Sequence, residues 1–120
     1  MKTSIAISAV LGAGLLLGAT ASAQDPVKVA AAMNKVLLEN DRVRVLDSVL
    51  KANDQMPMHQ HPDNILYVVK GGKTRFVDLS GTPTDRELKD NQCAMRPAET
   101  HAVQNTGTTD IHVLTIELKK

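Results

Sequence analysis

The sequence predicts an all-β domain, a sandwich or barrel of the small double-sheet jelly-roll kind. Three observations carry this. About eight or nine short stretches with strand-like patterning recur at near-regular spacing; turn-forming residues (Gly, Pro, Asn, Asp, Ser) separate them; and beyond the N-terminus no apolar periodicity reaches the length of a stable helix.

The chain opens with Met1-Lys2, an apolar run from Ile5 to Ala19, and then Ala21-Ser22-Ala23, the small-x-small pattern that a signal peptidase accepts. The run is shorter than the roughly 20 apolar residues that span a bilayer, and no basic cluster follows it. Residues 1–23 are therefore expected to be a secretory signal cleaved after Ala23, residues 24–34 an N-terminal extension and residues 35–120 the barrel, with the product periplasmic or secreted. Gln24 follows the cleavage site, so there is no cysteine there to carry a lipid anchor.

In the extension, Val27 and Val29 alternate like an edge strand while Ala30 to Met33 suit a brief helical turn, and both readings stay open. Strands follow at Lys35–Asn40 and Arg42–Leu50; in the second, Val43, Val45, Asp47 and Val49 alternate with Arg42, Arg44, Leu46 and Ser48. Lys51 to Gln55 is a turn. Ile65–Val69 and Lys73–Leu79 read as two strands joined by a Gly71-Gly72 hairpin, and Ser80 to Asp85 as another turn. Arg86–Lys89, Gln92–Pro97 and His101–Asn105 are shorter pieces, the last after an Ala98–Thr100 loop, and Ile111–Leu118 is a largely apolar final strand.

Charge and composition exclude several functions. The chain has 14 basic and 13 acidic residues, and removal of residues 1–23 takes one lysine, leaving 13 of each. A neutral chain gives no electrostatic footprint for nucleic acid or an anionic membrane, so the expected partner is a small molecule or another protein. Tyr67 and Phe76 are the only aromatics, which argues against a stacking site and leaves the core to Val, Ile, Leu and Met. Cys93 is the single cysteine, so no intramolecular disulfide exists, and its default reading is a small buried apolar residue.

The chemistry sits in Met56–Gly72, where His59 and His61 stand one residue apart. Residues two apart in a strand share a face, so both imidazoles project together and can close on one metal ion. A third histidine, His101, follows the Pro97 loop, with Asn105 opening a turn at Asn105-Thr106-Gly107.

These stretches together resemble the cupin superfamily. Its first motif runs Gly-x5-His-x-His-x(3 or 4)-Glu-x6-Gly, which "HQHP" and "ILYVVKG" match; its second runs Gly-x5-Pro-x-Gly-x2-His-x3-Asn, which "RPAETHAVQN" matches. The resemblance covers about Lys35 to Leu118 and implies a double-stranded β-helix (jelly-roll) barrel in which His59, His61 and His101 converge on a divalent transition metal. It also implies a small-molecule ligand or substrate and a homodimer formed through sheet packing.

The chain departs from the pattern at one position that matters. Asn64 stands where the family most often has its ligating Glu, with Asp63 beside it, so these two are the candidates for a fourth ligand or a supporting group. In the second motif Arg96 stands at the Pro position and Ala98 at the Gly. Three neutral imidazoles suit Zn, Cu, Fe or Ni, and loss of the carboxylate weakens the pull toward harder Mn. It also makes the metal centre more positive by one charge, favouring an anionic ligand.

The competing reading is a non-catalytic ligand-binding or sensing cupin without metal, its histidines merely hydrogen-bonded. Among the remaining residues, His112 reads as a satisfied core or rim histidine, Arg75 and Arg96 as solvated surface charges, Met56, Met58 and Met95 as gap-fillers, and Tyr67 as packed with its hydroxyl at the rim. No nucleophile elbow, phosphate loop or paired carboxylates occur in the sequence.

Overall fold

The computed structural model describes residues 24–120; the signal-peptide expectation, on residues 1–23, lies outside the described residues. A four-residue helix, α1 (Pro26–Val29), is followed by nine strands: β1 (Asn34–Glu39), β2 (Val43–Leu50), β3 (Gln55–His61), β4 (Asn64–Lys70), β5 (Gly72–Asp78), β6 (Pro83–Leu88), β7 (Cys93–Arg96), β8 (Glu99–Asn105) and β9 (Ile111–Leu118). They form two antiparallel sheets, β1-β2-β9-β4-β7 and β3-β8-β5-β6. This is the all-β double-sheet architecture expected from the strand spacing.

The ambiguous extension resolves as helix, but earlier than the Ala30–Met33 turn. Asp25 caps it by accepting a hydrogen bond from the Val27 N–H (2.9 Å), and Pro26 occupies the first turn, where its missing N–H costs nothing. The segment packs onto the barrel: the Gln60 N–H donates to the Gln24 carbonyl (2.8 Å), and Ala30 shares a core cluster with Leu50 and Met56.

The Gly71-Gly72 pair is not a hairpin turn. β4 lies in one sheet and β5 in the other, so the glycines mark a corner where the chain changes sheets. Their smallness is used for close approach: a Cβ on Gly71 would stand 1.9 Å from the Leu88 carbonyl oxygen, and one on Gly72 would stand 2.9 Å from Ile111 Cγ1. The Ala98–Thr100 loop is also shorter than expected, because β8 already begins at Glu99.

Alternation along β9 sends Ile111, Thr115 and Glu117 inward and His112, Leu114, Ile116 and Leu118 outward. His112 is therefore not a core residue; it stands on the outer face, where its Nε2 pairs with the Asp47 carboxylate. Cys93, expected to be buried, is exposed.

The interior is unusually polar. Asn34, Ser48, His59, Asn64, Thr74, Asn105, Thr115 and Glu117 are buried alongside Leu46, Leu50, Met56, Val68 and Ile111. Buried polar groups are tolerated when bonded, and two asparagines show how. Asn34 donates to the Pro26 and Ala30 carbonyls (3.1 and 3.0 Å) and accepts from Ser48 Oγ (2.6 Å); Asn105 donates to the Leu50 and Thr109 carbonyls (2.9 and 2.8 Å). These tie loops to strands. The histidines belong to the same polar interior, and they face a cavity.

Candidate metal centre

β3 and β8 pair so that His59 lies opposite His101 and His61 opposite Glu99. The four side chains form a two-by-two block on the inner face of one sheet. The register slips between Met56 and His59, where β3 carries one residue more than β8. That bulge holds Pro57, which has no N–H to give a ladder, and it re-aims the strand just before the first histidine.

Each imidazole has an oxygen beside its Nδ1. His59 Nδ1 donates to the Pro57 carbonyl (2.7 Å), His61 Nδ1 to Glu117 Oε2 (2.7 Å), and His101 Nδ1 lies 2.6 Å from Glu99 Oε2. A carbonyl or carboxylate only accepts, so in His59 and His61 the proton belongs on Nδ1 and the lone pair on Nε2.

The ligand atoms the three histidines offer lie within 4.8 Å of one another. The ring centres are 4.7, 4.9 and 5.5 Å apart and mutually edge-on. Three histidines grouped this closely fit a site for one divalent metal ion, which His59, His61 and His101 would hold.

The electrostatics suit a cation as well. Burial pushes His59 down to about 4, helped by His61 and opposed by the Pro57 carbonyl; burial, then His59, His61, Arg96 and Arg86, pushes His101 down to about 3. Both rings are neutral at pH 7 and available as ligands. His61 and His101 keep side-chain exposures of only 11 and 12%.

Among the fourth-group candidates, the structure separates Asp63 from Asn64. Asp63 accepts from the Ala98 N–H (2.8 Å), which staples the β7–β8 loop, and it does not line the cavity. Asn64 is buried and lines the cavity, with its Nδ2 donating to the Pro62 carbonyl (2.9 Å).

Three charged residues stand at the site against or beyond the sequence reading, which missed Glu99 and Glu117 and took Arg96 for a solvated surface charge. Arg96 lines the cavity with its side chain only 20% exposed, and one of its terminal nitrogens holds both oxygens of Glu99 (3.2 and 2.8 Å). Glu117, from the last strand, has its carboxylate 4% exposed and accepts from His61 and from Arg44 Nε (2.9 Å). The signal was in plain view for Glu99, two residues before His101 and so on its face. Arg75, by contrast, is the surface charge expected, paired with Asp85.

The cavity behind the histidines has a volume of about 70 Å³. Its lining mixes apolar side chains, among them Leu66, Leu88, Val103, Ile111 and Val113, with polar ones that include Arg96 and the histidines. Such a lining suits a small ligand that is partly apolar and carries a polar or anionic group.

No protein-family model and no curated protein matches the sequence. Solved structures do match. A cupin domain from Bordetella pertussis Tohama I is 22% identical with a TM-score of 0.69, over 73% of this chain and 93% of that one. A cupin family protein with a double-stranded β-helix fold from Methanocaldococcus jannaschii is 18% identical with a TM-score of 0.59, over 72 and 78% of the two chains. A predicted oxalate decarboxylase from Thermotoga maritima is 23% identical with a TM-score of 0.52, over 71 and 78%. At these identities the likeness is one of fold.

Proposed function

We propose that this chain, which has the double-stranded β-helix fold of the cupin superfamily, is an exported metal-binding protein. It holds a divalent transition metal through His59, His61 and His101 and takes a small polar or anionic molecule into the cavity beside it. The observation that carries this reading is the convergence of three histidines on one spot, with the Nδ1 of His59 and of His61 donated to an oxygen and their Nε2 left free.

With three protein ligands, a bound metal would supply a Lewis acid with open coordination positions. The donor set favours Zn, Fe, Ni or Cu over Mn. The chain's own residues would do the rest: Arg96 faces an anionic ligand group, the apolar side chains of the lining exclude water, and the small volume excludes bulky molecules.

Whether chemistry follows depends on a free proton acceptor at the site. Glu99 and Glu117 are the carboxylates beside the imidazoles, and both are already engaged by arginines. That pairing favours a binding or sensing role over general-base catalysis. The Ile5–Ala23 pattern supports export to the periplasm or medium. A second copy of this chain is the proposed macromolecular partner; neither nucleic acid nor, once the signal is removed, a membrane is.

The test is metal analysis of the mature protein purified from its native compartment beside a His59→Ala/His101→Ala variant. Near-stoichiometric metal in the wild type and none in the variant supports the reading. A metal-free wild type that cannot be reconstituted leaves the metal-free ligand-binding cupin instead. Oxygen uptake with small diketones, thiols and phenols then separates catalysis from binding; a loaded protein inert to all of them is a binding module.

A further inference from the structure

We infer that Glu117 is the positioning residue of the metal centre: its carboxylate acts on the ion through His61, and Arg44 and Asp25 hold it in place. The inference rests on the metal reading proposed above.

The register makes the case. Asn64, where a ligating carboxylate is expected, pairs across the sheet with Glu117, and Glu117 pairs on its other side with Arg44. All three project into the barrel. A carboxylate is therefore present in the expected row, displaced one strand sideways, by about 4.8 Å. From there it reaches His61 Nδ1 at 2.7 Å, on the side of the ring away from the free Nε2.

A buried carboxylate needs compensation. Glu117 has it from two sides: His61 Nδ1 donates to Oε2 (2.7 Å) and Arg44 Nε to Oε1 (2.9 Å). Arg44 spends Nε on Glu117 and its two terminal nitrogens on Asp25 Oδ2 and Oδ1 (3.1 and 3.3 Å), and Asp25 caps α1. Imidazole, carboxylate, guanidinium and carboxylate thus alternate from β3 through β9 and β2 to the N-terminal segment. A carboxylate on Nδ1–H fixes the ring's tautomer and orientation and makes the opposite nitrogen a better donor. The N-terminal segment thereby becomes part of the site, although none of its residues faces the ion.

The experiment uses the full mature chain with Zn(II) and Co(II). Competition titration gives the Zn(II) affinity, the Co(II) absorption spectrum reports the ligand field, and imidazole nitrogen NMR of the metal-free protein reports the His61 tautomer. Glu117→Gln keeps an acceptor for His61 but removes the charge. It is expected to weaken Zn(II) binding about tenfold and shift the Co(II) bands, with Glu117→Ala nearer a hundredfold. Asp25→Asn, at the exposed end of the relay, is expected to cost about two- to threefold and remains informative should the Glu117 variants not fold.

Wild-type affinity and an unchanged Co(II) spectrum in Glu117→Gln, with only a lower melting temperature, would reduce Glu117 to a structural ion pair and overturn the inference while leaving the metal reading intact. A wild type that takes up neither ion overturns both.

Discussion

Asn64 sets the charge of the site. With an amide in that place, the histidine block carries no ligand charge of its own, and the neighbouring Glu117 stays singly compensated by Arg44. Asn64→Glu would put two carboxylates directly opposite each other in a buried row, an arrangement that is destabilising by about 1 kcal/mol or more. The metal-free variant is expected to melt a few degrees lower than wild type, whereas with Mn(II) it should gain more than wild type does, because a hard oxygen ligand has been added. Thermal melts with and without Mn(II) check this; equal Mn(II) shifts in the two proteins would mean that position 64 does not reach the ion.

A second residue-scale prediction concerns acid. Burial would raise the pKa of Asp25, yet the Arg44 guanidinium and the Val27 N–H hold it below the ordinary value. A carboxylate with a depressed folded pKa contributes stability that is complete above its unfolded pKa, about 3.9, and is lost as pH falls through the folded value. The stability gap between wild type and Asp25→Asn should therefore be constant from pH 7 to about 5 and begin to narrow below about 4, which urea unfolding in steps from pH 7 downward measures. A gap that does not narrow at all below pH 4 would assign the effect to something other than the carboxylate charge. The three histidines were legible in the sequence because a spacing of two is a strand signature and the motif names the residue type. Glu117 and Arg96 were not, since a charged residue in an alternating strand looks the same whether that face meets water or a cavity. Only the pairing of β9 with β4 and of β4 with β7 places them inside.

At the scale of elements, strand positions were readable because alternation and turn chemistry are local, and strand partners were not, because pairing is long-range. Gly71-Gly72 is the clearest instance. Two glycines between strand-like runs signal a hairpin, but the same residues serve where backbones touch, and here β4 and β5 part into different sheets. The difference is measurable. In a hairpin, alanine at position 71 would be a conformational matter; at this corner its Cβ meets the Leu88 carbonyl, a fixed backbone atom. Gly71→Ala is expected to destabilise by about 3 kcal/mol through overpacking. Gly81→Ala, with open space around the Cβ but a φ of +82°, should cost about 1 kcal/mol. Denaturant midpoints rank the two, and a Gly71→Ala protein as stable as Gly81→Ala would contradict the close approach. The bulge at Pro57 belongs to the same scale: the His-x-His spacing was visible, whereas the extra residue that sets His59 opposite His101 emerges only from the β3–β8 register.

At the scale of the molecule, the two faces of the five-stranded sheet differ in a way that predicts assembly. Its inner face closes the barrel. On its outer face one row of cross-strand partners runs Leu38, Val45, Ile116, Ile65 and Met95, apolar at every strand from β1 to β7. Leu38 and Met95 are 50 and 61% exposed, and no helix of the described residues covers the row. Five strands about 4.8 Å apart and some seven residues long make a face roughly 24 Å on a side, about 580 Å² in plan, or some seven tenths of the ~800 Å² per partner of a standard-size interface. A monomer seldom leaves so continuous an apolar band in water, and a two-fold pairing of this sheet with its own copy would bury the band on both chains at once. The mature protein is therefore expected to sediment as a dimer at micromolar concentration, and Leu38→Lys/Met95→Lys as a monomer with its metal affinity unchanged, since neither residue lines the cavity. Cys93 supplies an independent readout. It is exposed in the single chain and, paired with Tyr67, occupies the adjoining row, so maleimide should label it slowly in wild type and quickly in the variant. A wild type that sediments as a monomer at 100 μM, or one in which Cys93 reacts as fast as in the variant, would leave the apolar row without a second copy to cover it.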